Sequence, residues 1–126
     1  MIDVNKHIHY WCNSAEEDLD VAKNLIFANK IRHGLFFLHL TVEKILKAHI
    51  CKYTKDIPPR THNLVRLSEI SGIKFSDEQV EFLAEMNPMS LEGRYPGTWI
   101  KVPTKEEAEQ YLQKTEQVYK WLINQL

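Results

Sequence analysis

Three groups of polar side chains could bind or transform a phosphate. The first is His39, Glu43 and Lys47, which follow one another at steps of four. On a helix that spacing puts them on one face, with Lys44 one step around. A carboxylate and two ammonium groups beside an apolar stripe could line a groove that accepts phosphate. The plainer account is a Glu43–Lys47 pair on a solvated face.

The second group is Arg60-Thr61-His62, at the expected start of a short helix. Backbone N–H groups at a helix start favour anions, and Arg60 and His62 could add a charge and a titrating ring. Alternatively Thr61 is a cap and His62 packs or hydrogen-bonds locally. The third is Arg94-Tyr95-Pro96. A guanidinium forks onto phosphate and a tyrosine ring can stack on a base, although Arg94 could equally bridge to a helix carboxylate while Tyr95 packs on the body of the protein.

Other chemistries find no support. No glycine-rich loop resembles a P-loop or a dinucleotide fingerprint, and there is no HExxH or Cys/His zinc spacing. His7 and His9 stand two apart and would diverge on a helix. Neither a metal nor a cofactor is expected. Cys12 and Cys51 lie in apolar helical patterns without CxxC spacing and are expected to be reduced core thiols.

The elements that must position these side chains are helical. Trp11, Ala15, Leu19, Ala22 and Leu25/Ile26 recur at steps of three and four, predicting a helix from about Asp3 to Ala28, with Asn29 as a left-handed terminator. A second helix is predicted from about Arg32 to Cys51. Its stripe of Leu35, Leu38, Val42, Ile45/Leu46 and Ile50 is widened by Phe36, Phe37 and Leu40, which suggests a central, largely buried helix whose polar residues need partners. Pro58 and Pro59 place 53–61 in a loop. A short helix follows from about His62 to Ser71, closed by Gly72. Ser76 with Gln79 forms a capping box for a helix to about Met86, and Thr104 with Glu107 forms another for the last helix. Met89 to Pro103 is predicted to be irregular, and its Arg94, Tyr95, Trp99 and Ile100 argue against disorder.

The sequence therefore predicts one all-α domain over 1–126, an up-and-down bundle of about five helices. A chain of 126 residues is one ordinary domain. Its net charge of −1 supplies no overall basic field, so any anion site must be local. Met1 to Asn13 lacks a signal-peptide core, and the longest apolar run, Leu35 to Leu38, is far short of a bilayer span. A cytoplasmic protein without membrane association is expected.

Four stretches, in this order, resemble the HEPN domain (higher eukaryotes and prokaryotes nucleotide-binding). Trp11, Ala15, Asp18-Leu19 and Ala22 resemble the family's W-x3-A-x2-DL-x2-A opening. Phe37 followed by Val42-Glu43-Lys44-Ile45-Leu46-Lys47-Ala48 resembles its second-helix core. Thr61-His62-Asn63-Leu64 is similar to its T-H-(D/N)-L element, and Arg94-Tyr95-Pro96 to its RYP. The resemblance implies a helical bundle that pairs as a homodimer, often encoded beside a minimal nucleotidyltransferase in a toxin–antitoxin-like pair, and engaging nucleotide or RNA. Carried onto this chain, it implies a polar groove of Glu43, Lys44, Lys47, His62, Arg94 and Tyr95; Arg60 joins it from the sequence itself.

Other members are metal-independent ribonucleases with a late R-x4-6-H motif. No histidine follows Arg94 here, and the one string with that spacing runs from Arg32 to His39. The expectation is a non-catalytic binding module. The alternatives are a metal-independent ribonuclease using Arg32 or Arg94 with His39 or His62, and a purely structural dimerisation protein.

Overall fold

The computed structural model describes residues 2–92 and 102–126. Among them are six helical segments and no strand: α1 (Val4–Phe27), α2 (Ile31–Thr54), α3 (Leu64–Ile70), α4 (Asp77–Met86), α5 (Met89–Glu92) and α6 (Lys105–Ile123). The all-α bundle expected from periodicity is what forms, with a single extra helical turn, α5.

The α2 helix is the axis of the molecule. Fifteen of its 24 residues are buried, more than one apolar stripe can account for, so neighbours must cover it on several sides. Helices α1, α6, α3 and α5 all pack against it, α1 most extensively. Leu35, Leu38, Val42, Ile45, Leu46 and Ile50 form the core with Ala15, Leu19, Ala22 and Ile26 of α1 and Ala108, Val118 and Leu122 of α6. Each fully buried large aliphatic side chain contributes about 1.5–3 kcal/mol.

Helices α1 and α2 run antiparallel. Trp11, early in α1, faces Lys47 late in α2, while a Cβ on Gly34 at the start of α2 would meet Ile26 near the end of α1. The start of α6 lies at the end where α2 began, because Lys105 donates to the Phe27 carbonyl. Helix α6 accordingly runs parallel to α2 and is fixed at its far end by a hydrogen bond between His49 and the Leu122 carbonyl.

The ends of the elements follow local chemistry. Asp3 caps α1, and Asn29 turns left-handed at φ 62° after it. Both capping boxes, Ser76/Gln79 and Thr104/Glu107, form. Gly72 sits at φ 78° with the Tyr53 ring where a Cβ would stand, which locks the turn after α3 onto the end of α2.

Three boundaries differ from expectation. Helix α2 continues three residues past Cys51, because Lys55 adopts φ 60° and returns its N–H to the Cys51 carbonyl. Helix α3 begins at Leu64 rather than His62, because Asn63 takes the N-cap. In the stretch expected to be irregular, Met89–Glu92 forms the helical turn α5, since Pro88 supplies the fixed φ that suits a helix start. Arg94, Tyr95, Trp99 and Ile100 lie outside the described residues.

Candidate functional site

Glu43 organises the site. It lies midway along α2, on the turn that α1 crosses near Trp11 and that the loop before α3 approaches. Its carboxylate is almost wholly buried, with 5% of the side chain exposed. One oxygen, Oε1, accepts from His62 Nδ1 at 2.9 Å and lies 3.6 Å from His39 Nδ1. The other, Oε2, accepts from Lys47 Nζ at 3.1 Å. The Lys47 ammonium in turn stands 5.3 Å from the centre of the Trp11 ring, a cation–π contact that covers it. A buried carboxylate is tolerable only when charge and hydrogen bonds compensate its lost hydration, and this one has both.

The members differ sharply in access. His39 is fully buried and Lys47 nearly so. The His62 side chain is 55% exposed although its Nδ1 is held by a buried group. His62 therefore connects the buried cluster to solvent. Arg60, two residues earlier on the same loop, is exposed and makes no ion pair among the described residues.

Lys44, one step around the helix, does a different job. Its ammonium contacts Asp18 Oδ2 at 2.7 Å and donates to Ser14 Oγ at 2.7 Å, binding α2 to α1. Its charge is already met within the chain.

Sequence spacing alone brought together Glu43 and Lys47, and the fold adds His62. Arg94 and Tyr95, the remaining sequence candidates, lie outside the described residues. Trp11 was legible only as a core residue; its place over Lys47 follows from the antiparallel crossing of α1 and α2. Two of the amides at the start of α3 are already engaged: Asn63 Oδ1 accepts from Arg66 N–H and Asn87 Oδ1 from Leu64 N–H. Arg32, proposed with His39 as an alternative pair, is exposed at the start of α2, about 10 Å along the axis from His39.

Among the described residues no three His, Cys, Asp or Glu side chains gather as a metal site, and no helix is long and apolar enough to cross a membrane. Cys12 and Cys51 are free thiols, and burial pushes both pKa values up. The concavity of about 580 Å³ between α4 and α6 is lined by Glu78, Glu81 and Glu85 against one cation, Lys114, a charge balance that disfavours phosphate.

The family model for the HEPN domain matches residues 8–126. The chain belongs to the HEPN domain family. Two solved structures share the HEPN fold seen here. The crystal structure of TT1696 from Thermus thermophilus has a TM-score of 0.81 at 17% identity, covering 94% of this chain and 98% of that one. The crystal structure of ST0689, described as an archaeal HEPN homologue, has a TM-score of 0.72 at 17% identity, covering 94% and 96%. No curated protein matches the sequence.

Proposed function

We propose that this HEPN domain is a binding module for the phosphate of a nucleotide or an RNA strand, acting as a homodimer beside a minimal nucleotidyltransferase in a toxin–antitoxin-like pair. The observation that supports it is the exposed His62, oriented from behind by the buried Glu43 and flanked by Arg60. The Arg60 guanidinium can fork onto a phosphate, and the His62 ring on the same short loop can hydrogen-bond the same ligand through its outward edge. Glu43 and Lys47 form the support and neutralise each other, with Lys44 tying the two helices beneath. Arg94 and Tyr95 complete the site in this proposal, Arg94 as a further fork and Tyr95 as a stacking surface.

Isothermal calorimetry with ATP and with a short single-stranded RNA tests it, on the protein alone and with a candidate nucleotidyltransferase. Binding is expected, and Arg60→Ala, His62→Ala and Arg94→Ala should each weaken it by roughly tenfold or more, the size of a charge-assisted contact. Absence of binding to either ligand, alone and with partner, would remove the proposal.

A further inference from the structure

We infer that Glu43 and His62 form a carboxylate–imidazole dyad in which the ring is held as the Nδ1–H tautomer, leaving Nε2 as an outward proton acceptor for a hydroxyl group on a bound anionic ligand. The inference deepens the proposed function by naming what His62 does there; only the ligand rests on that proposal.

The argument begins with what Glu43 can offer. A carboxylate accepts hydrogen bonds and donates none. At 2.9 Å from Glu43 Oε1, His62 Nδ1 must carry the proton. In the neutral ring the other nitrogen is then a bare lone pair. Nε2 has no hydrogen-bond partner among the described residues, and the ring is 55% exposed although its Nδ1 side is covered. The free edge is therefore the basic edge.

The carboxylate cannot easily turn away. Its second oxygen is bound to Lys47 at 3.1 Å, and Lys47 is pinned under the Trp11 ring. Glu43 is a positioning residue, and Lys47 and Trp11 hold it in position. When Nε2 takes the proton of a hydroxyl, the O–H bond breaks and its electron pair remains on oxygen. The imidazolium so formed lies against Glu43, which stabilises its charge. This is the arrangement general-base catalysis requires: a base oriented by a third group. It uses neither Arg32 nor His39.

The test needs no ligand. Long-range proton–nitrogen NMR on the wild-type protein, at a pH where His62 is neutral, should show its Nδ1 protonated and its Nε2 bare. The double variant Glu43→Met/Lys47→Met removes both buried charges together and should release the ring to a mixture of tautomers. Diethyl pyrocarbonate gives a second readout. The Nε2 lone pair attacks its carbonyl carbon, ethyl carbonate departs and the Nδ1 proton passes to solvent. Mapped by peptide mass, His62 should react faster than the exposed His9 and His33, and should lose that advantage in the double variant. A wild-type His62 carrying its proton on Nε2 would overturn the dyad, even if no variant folds. So would a reactivity equal to that of His9 and His33. A bare Nε2 with no calorimetric signal for ATP or RNA would uphold the dyad and remove only the ligand proposed above.

Discussion

His49 Nε2 lies 2.7 Å from the main-chain oxygen of Leu122, joining the end of α2 to the end of α6 across 73 residues of sequence. The ring must donate that bond from Nε2. Burial pushes the His49 pKa below its ordinary value of 6.5; the Leu122 carbonyl opposes that shift and nearby Lys52 adds to it. The folded protein thus binds a proton at His49 less readily than the unfolded chain. As pH falls through about 6.5 the unfolded state takes up more protons, and stability falls until the lower folded-state value is passed. Thermal melts should therefore show a declining Tm below pH 6.5, and His49→Gln, which keeps a donor without a titrating ring, should flatten the decline. Identical slopes for the two proteins would remove His49 as a cause.

The buried Glu43–Lys47 pair should behave as a unit. Replacing either residue alone by Leu leaves the other charge buried and uncompensated, at a cost of about 3–5 kcal/mol. Glu43→Leu/Lys47→Leu should lose much less than the sum of the singles. Urea denaturation of the four proteins gives the coupling; additive losses would mean that the two charges are solvated separately.

Much of this architecture is legible in the sequence because its signals are local. The two capping boxes, the left-handed Asn29 and the i,i+4 Glu43–Lys47 pair each depend on residues within a turn of one another. The membership of the site is not local. Trp11 reaches Lys47 across 36 positions and His62 reaches Glu43 across 19, and those meetings depend on how α1 crosses α2 and how the proline loop folds back. The proposed helix-start anion site at Arg60-Thr61-His62 illustrates the same limit. The sequence shows a helix start, but not that Asn87 would fold over from 23 positions away and take the Leu64 amide.

Gly34 marks a close approach of α1 and α2, and Gly34→Ala tests it. The added Cβ would stand 2.5 Å from Ile26 Cγ1. That atom is the first branch of a β-branched side chain on a helix, which has little freedom to rotate away. The gain in helix propensity, about 1 kcal/mol, should be outweighed, giving a net loss of about 1–2 kcal/mol from overpacking. In an Ile26→Ala background, which removes the nearest atom and leaves the backbone contacts at 3.3 and 3.4 Å, the same substitution should cost clearly less in chemical denaturation.

Lys55 holds the end of α2 in a left-handed conformation that a residue with a Cβ adopts at a cost of about 1–2 kcal/mol. Lys55→Gly keeps the N–H that bonds the Cys51 carbonyl and removes that strain. The unfolded chain gains some entropy from the glycine, so the expected net stabilisation is about 0.5–1 kcal/mol, read as a higher urea midpoint with an unchanged slope.

Salt dependence separates the contacting cations from the supporting ones. Each phosphate neutralised on a single strand contributes a slope of about −0.7 to the logarithm of affinity against the logarithm of salt. Arg60 is exposed and without an ion pair among the described residues, so Arg60→Ala should make the slope shallower by about 0.7. Lys47 is neutralised by Glu43 at 3.1 Å and covered by Trp11, so in the folded protein Lys47→Met should change stability while leaving the slope nearly as it was. A slope that loses as much with Lys47→Met as with Arg60→Ala would place the buried ammonium on the phosphate, which requires Lys47 to leave Glu43 when ligand binds.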